Sequence, residues 1–301
     1  MSQPLGDQMA HLAGAGQLAC DWLLLTAMLP LFGLAVFALW VAPPASDGCR
    51  LLVRRLWAAL RFMALAQLLF LCLVLLARVS AMAGVGFGGA VGLASRVVRQ
   101  THFGRIWLGQ AALALAAGAV VLSGGFGRRR SFMLGLLGAG ELSLWAASGH
   151  GADFGWVGVG VYFVHEAAAG LWFSSLMGLW LAGELAVDAF GQIAVRVSRL
   201  AGWCVGLLML SGLFTAYNGL GPDVTHLFFS RYGRILLVKI AVFVTVLAIG
   251  GHNRARLIPV GGVVGRRRAL MRNVAAESVL LLGVLALAAL LANTPPARMR
   301  R

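Results

Sequence analysis

Six histidines, one lysine and a few carboxylates are the groups in this 301-residue chain best suited to hold an ion or move a proton. The histidines are His11, His102, His150, His165, His226 and His252, and the others of interest are Lys239, Glu141, Glu166 and Asp21. Their setting gives them weight. His165, Glu166, Glu141 and Lys239 lie inside long apolar runs, where an ionisable side chain is costly and by default marks a binding site or pathway. On a helix, His165 shares a face with Tyr162, Ala169 and Trp172, while Glu166 sits about 100° around the axis. Both line one cavity only if other helices surround theirs.

Imidazole and thioether together suit a soft or borderline metal such as copper. His11, His102, His150 and His226 fall in or beside segments on one side of the apolar runs, with Met9 and Met82 near them, and His165 lies some ten residues in from that side. Met28, Met177 and Met209 sit within runs. The expected metal ligands are therefore His150, His165, His102, His226 and Met82, and the expected polar pathway comprises Glu166, Glu141, Lys239, Asp21, Met28 and Met209. Taken singly, a loop histidine or a span methionine is more often merely solvated or packed. Neutral imidazole binds metal and imidazolium does not, so loading should fall below a pH of about 6.5. Lys239 is expected to pair with Glu141 or Glu166, which lowers the cost of burying either charge, whereas Asp21, near the outer end of the first run, needs only water. His150 stands in SGHGAD between two glycines that permit a tight turn, with Asp153 three residues on.

The elements that must position these residues are membrane helices. The chain is 60% hydrophobic and 12% charged with a mean hydropathy of +0.87, far from the composition of soluble domains. Runs of about 20 apolar residues recur, each long enough for a hydrocarbon core about 30 Å thick. They fall near Leu18–Val41, Trp57–Val79, Ile106–Ser123, Phe132–Ala147, Trp156–Leu185, Leu200–Tyr217, Ile235–Gly251 and Val274–Asn293. The expected fold is all-α: a polytopic membrane bundle of about eight transmembrane helices in a single domain over residues 1–301. The net charge of +15 does not point to nucleic acid, because the arginines flank apolar segments. Fifteen of them cluster around alternate loops and nine lie on the opposite side. The positive-inside rule then places both termini on the external, periplasmic side. Cys20, Cys49, Cys72 and Cys204 lack metal-ligand spacing and read as packing residues. No cleavable signal peptide is apparent. The glycine-rich stretch Gly84–Gly92 follows a span, not a strand, and reads as a flexible external loop.

Several separated motifs resemble the copper resistance protein D family of bacterial inner-membrane proteins. They are FGRIWL at 103–108, SGHGA at 148–152, H-x-x-A-x-x-x-W from His165 to Trp172, SRLAGWCVGLLMLSGLFTAY from Ser198, YGRILLVKIAVF from Tyr232, HNRARLIP from His252, and the closing NTPPA. The resemblance covers Thr101 to Pro296, with the first 100 or so residues matching poorly. It implies an eight-span bundle in the inner membrane that handles copper, importing the ion beside a periplasmic copper-binding protein, with His150 and His165 as ligands. Two departures concern the same helix: Glu166 stands where the family has an apolar residue, and Ser174 and Ser175 replace small glycines. A haem b oxidoreductase is the alternative, since paired histidines on neighbouring spans also hold haem iron. A membrane assembly subunit without an ion of its own is a third.

Overall fold

The computed structural model describes residues 3–41, 49–258 and 265–299. The side chains of residues 3–13, His150 and Met299 lie outside that description, and with them His11 and Met9. Every regular element among the described residues is helical. In chain order they are α1 (Gln3–Trp40), α2 (Arg50–Ala83), α3 (Phe87–Gln100), α4 (His102–Leu122), α5 (Arg128–Ser148), a 3-10 turn (His150–Phe154), α6 (Gly155–Leu181), α7 (Val187–Leu220), α8 (Thr225–Phe229), α9 (Arg231–His252), a π turn (Asn253–Leu257) and α10 (Arg267–Ala292). Six of them, in α1, α2, α4, α7, α9 and α10, are long and apolar enough to cross a membrane, so this is a multi-pass membrane protein. The remaining two of comparable length, α5 and α6, carry the polar residues Glu141, His165 and Glu166.

Helix bounds depart from the expected runs where amphipathic turns extend a helix past the apolar stretch. α7 begins at Val187 rather than Leu200, and α2 begins at Arg50 rather than Trp57. The stretch Gly84–Gly92 is not a loop throughout. Gly84, at φ 65°, ends α2 in the left-handed conformation, and α3 then starts at Phe87. Its Ala90, Leu93, Ala94, Val97 and Val98 pack against Leu75 and Val79 of α2 and against Phe103 and Trp107 of α4, which outweighs the poor helix propensity of its glycines. Cys72 is exposed on α2, whereas Cys20, Cys49 and Cys204 are buried.

The chain consists of two similarly ordered halves. Each runs long, long, short, long, long: α1 to α5, then α6 to α10. In each half the first helix packs on the second and the fourth, and the third packs on the fourth, if only the long helices are counted. In each, a short helix leads into an elbow of like sequence, THFGRI before α4 and SRYGRI before α9. Thr101 and Ser230 cap the new helices by accepting from the amides of Gly104 and Gly233, both at 2.9 Å. A Cβ on either glycine would stand 2.4 Å or less from a carbonyl oxygen of the preceding helix, so only glycine fits. The halves meet at α1 and α6, where a Cβ on Gly33 would reach the Gly170 carbonyl oxygen at 2.5 Å. Small residues thus bring the two central backbones together. The halves close differently: α1 and α2 lie closely along α5 and α4, whereas α6 touches α10, and α7 touches α9, only sparsely, which leaves a seam.

The bundle has two distinct ends. His102, the His150–Phe154 turn and His226 share one end, where Arg298 of the C-terminal tail pairs with Asp153 at 3.2 Å and covers the Phe154 ring at 4.3 Å. The other end holds most of the arginines, and several donate to backbone carbonyls at or just beyond helix ends. Arg61 donates to the Val121 carbonyl at 3.1 Å, Arg196 to that of Val41 at 3.2 Å, and Arg267 to that of Leu185 at 2.9 Å. Those arginines have a structural role.

Candidate functional site

His165 projects from the middle of α6 into the seam toward α7. Its Nδ1 lies 2.9 Å from Ser211 Oγ, and Ser211 donates its own hydroxyl proton to the Leu207 carbonyl at 2.6 Å. With that proton committed, the hydroxyl acts as acceptor, so Nδ1 carries the hydrogen and Nε2 keeps the lone pair a metal needs. Gly212 lies beside the ring, where a Cβ would make ordinary contact with His165 Cε1 at 3.6 Å. Glu166, the next residue, has its Oε2 buried with no hydrogen-bond partner. Lys239 on α9 acts electrostatically on both His165 and Glu166, although no ion pair within 4.0 Å joins them among the described residues. One imidazole, one carboxylate and one ammonium from α6 and α9 therefore lie within electrostatic range of one another.

The other expected residues divide. Glu141 does not pair with Lys239: it is buried between helices of the first half and accepts from Gln67 of α2 at 3.0 Å. Asp21 does not rest on water. Only 1% exposed, it accepts from Arg78 of α2 at 3.3 Å and from Asn293 of α10 at 2.9 Å, so the closing NTPPA motif is fastened to the first helix. Met28 of α1 is packed in the core, while Met209 is 60% exposed on α7 and Met82 61% exposed at the end of α2. His102 is exposed, and His226 is half-buried with Nδ1 donating to the Leu220 carbonyl at 2.8 Å and Nε2 3.9 Å from Asp223. Hydrogen bonds from the Thr225 hydroxyl and amide hold the Asp223 carboxyl below its ordinary pKa. The backbone of the His150–Phe154 turn folds back on the first turns of α6, where a Cβ on Gly151 would lie 3.3 Å from the Tyr162 ring. Asp153 is engaged with Arg298. The described residues hold no cluster of three or more His, Cys, Asp and Glu side chains suited to a metal. Nor does a second described histidine side chain lie at the depth of His165, where a bis-histidine haem would need one.

Comparison with known proteins decides the family. The Copper resistance protein D family matches residues 191–291, and its N-terminal domain, described as Copper resistance protein D-like, matches residues 9–159. The chain is 31% identical over 258 residues to Copper resistance protein D of Pseudomonas syringae pv. tomato, a match covering 80% of this chain and 82% of that protein. The chain belongs to the copper resistance protein D family. It is also 28% identical over 264 residues to Inner membrane protein YebZ of Escherichia coli strain K12, across 80% of this chain and 86% of that one. No solved structure matches. As a member of this family the chain is matched from residue 9 onward, so the likeness takes in α1 and α2, beyond the motifs that carried it in the sequence.

Two of the motifs that carry the resemblance gain a structural meaning. H-x-x-A-x-x-x-W sets His165 and Trp172 along one helix, and Trp172 meets Phe243 of α9 edge to face at 5.9 Å. SRLAGWCVGLLMLSGLFTAY contains Ser211, the residue that orients His165 and that reading ligand types alone passes over. Ser174, one of the departures, is buried against Gly33 at the α1–α6 crossing, while Ser175 donates to its own helix at the Trp172 carbonyl, 2.7 Å away. Sequence reasoning also passed over Glu277 on α10, although a lone acid in the last apolar run is the same signal that singled out Glu141.

Proposed function

We propose that this protein carries copper ions inward across the bacterial inner membrane, through the seam that holds His165. The observation that carries the reading is the oriented imidazole: a ring fixed through Nδ1 by Ser211, with Nε2 left to coordinate. In this reading all eight long helices cross the bilayer, α5 and α6 tolerating their polar residues because those face the bundle. The histidine-bearing end with both termini faces the periplasm, and the arginine-rich end faces the cytoplasm. His102, His226 and Met82, with His150 on its turn, stand near the outer end as capture ligands for copper delivered by a periplasmic copper-binding protein. The ion then moves to His165. Glu166 supplies negative charge there, offsetting the repulsion that Lys239 exerts on an arriving cation.

The test is copper accumulation in cells expressing the native protein or His165→Ala at equal membrane levels, joined to metal analysis of the purified proteins. The native protein should raise cell copper and retain the metal, and the variant should do neither. Equal accumulation by both would overturn the assignment of His165. A purified native protein that binds no copper and changes no uptake would favour an assembly subunit, and a Soret band would favour haem b.

A further inference from the structure

The segment that follows α10 crosses the histidine-bearing end of the second half. Asn293 ties it to Asp21 of α1, and the Thr294 hydroxyl donates to the Leu290 carbonyl at 2.7 Å. Pro295 and Pro296 then form a stiff arm, since each ring fixes its own φ. Beyond them Ala297, 3% exposed, packs beside Tyr232 and Leu236 of α9, and Arg298 reaches the turn before α6. There Arg298 donates to Asp153 Oδ2 at 3.2 Å and lies over the Phe154 ring at 4.3 Å. Its Cβ also faces Gly221 at the end of α7, where an added Cβ would stand 3.2 Å from it. One short segment thus touches α7, α9 and the turn that leads into α6.

What it covers is the approach to His165 from that end. Tyr162 stands one turn outward from His165 on the same face of α6, and the Arg298 guanidinium lies within electrostatic range of both Tyr162 and Tyr232. The Tyr232 ring fills the place a side chain on Gly219 would take, so α9 meets α7 at this level. Phe154 meets Phe214 of α7 edge to face at 6.2 Å. A cation entering between α6, α7 and α9 therefore meets two closed aromatic contacts and a held positive charge before it reaches the imidazole. The fastening is light. The Arg298 and Asp153 side chains are 26% and 39% exposed, and an ion pair so open to solvent contributes little to stability. A cation arriving at the turn is attracted by Asp153 and repelled by Arg298, so it weakens the pair that stands in its way.

We propose that residues 294–298 form a lid over the outer approach to His165, with Arg298 and Asp153 as its latch. The lid rests on the copper reading above for its cargo. The experiment uses full-length protein in lipid nanodiscs and measures how fast a cationic methanethiosulfonate modifies a Gly212→Cys reporter beside the His165 ring, with Cys72→Ala to remove the exposed native thiol. Rates are taken against the same chain without the reporter, and Thr215→Cys, about one turn outward on α7, replaces Gly212→Cys if that variant is not monodisperse. Arg298→Gln and Asp153→Asn should each raise the rate about threefold or more, in proportion to the fraction of molecules whose lid is open. The two variants separate a latch from a simple field, because losing a positive charge speeds a cationic reagent and losing a negative charge slows it. A slower reaction in Asp153→Asn, or native rates in both variants, would overturn the lid. Initial copper uptake by cells at equal protein level, with Gly212 in place, should rise in both variants as well. Faster labelling with no copper uptake by any of the proteins would overturn the copper reading and leave the lid standing.

Discussion

Ser211 Oγ on α7 and His165 Nδ1 on α6 stand 2.9 Å apart, so the ring on one helix takes its orientation from a hydroxyl on the next. Ser211→Ala removes the acceptor, leaves a buried N–H unpaired at a cost of about 1–3 kcal/mol, and frees the ring to turn. Copper affinity should fall about 10- to 100-fold, the usual consequence of losing the group that orients a ligand, while Ser211→Thr keeps it. Copper titration of the purified variants measures this, and unchanged affinity in Ser211→Ala would show that the hydroxyl does not hold the ring.

Lys239 lies within electrostatic range of Glu166 without an ion pair closer than 4.0 Å, whereas Glu141 is held by Gln67. Lys239→Leu should therefore lower the yield of folded protein, Glu166→Gln in the same chain should restore much of it, and Glu141→Gln should not. The monodisperse fraction after solubilisation reports the outcome. Rescue by Glu141→Gln would reverse the assignment.

Gly33 lies against α6, where a Cβ would meet both Ser174 Oγ at 2.3 Å and the Gly170 carbonyl oxygen at 2.5 Å. Gly33→Ala should destabilise the bundle by about 1–3 kcal/mol, as overpacking does. Adding Ser174→Gly should recover only part of that, because the backbone contact stays. Thermal unfolding in detergent tests both; full recovery in the double variant would mean that the helices shift more freely than this crossing implies.

Asp21 is tied to α2 and α10 through Arg78 and Asn293. Arg78→Leu leaves the buried carboxylate without its cation, and Arg78→Leu with Asp21→Asn removes the charge as well. The single change should lower thermal stability more than the double one. The expected gap is about 1–3 kcal/mol, below the figure for a fully buried pair because the Arg78 side chain is one-third exposed. Equal stability of the two variants would show that this tie contributes nothing.

Much was legible in the sequence because the bilayer imposes a composition before it imposes a shape. Apolar runs marked the helical architecture, and the rarity of charge within them singled out His165, Glu166, Glu141 and Lys239 before any contact was known. Separated motifs identified the family, although they understated its reach into α1 and α2. Helix ends were less legible, since α3 and the first turns of α7 owe their form to packing against neighbours.

Partners were decided in three dimensions. A run of residues reports how costly a charge is, but not which helix supplies its relief, because helices distant in sequence meet at angles and registers that side-chain packing sets. That is why Glu141 faces Gln67, Asp21 faces Arg78 and Asn293, and His165 faces Ser211. Apolarity along the chain determined that this protein lives in a membrane and which costly groups it keeps there. The uneven closing of two similar halves, tight at α2 and α4 and parted at α7 and α9, determined where a cavity remains in the bundle.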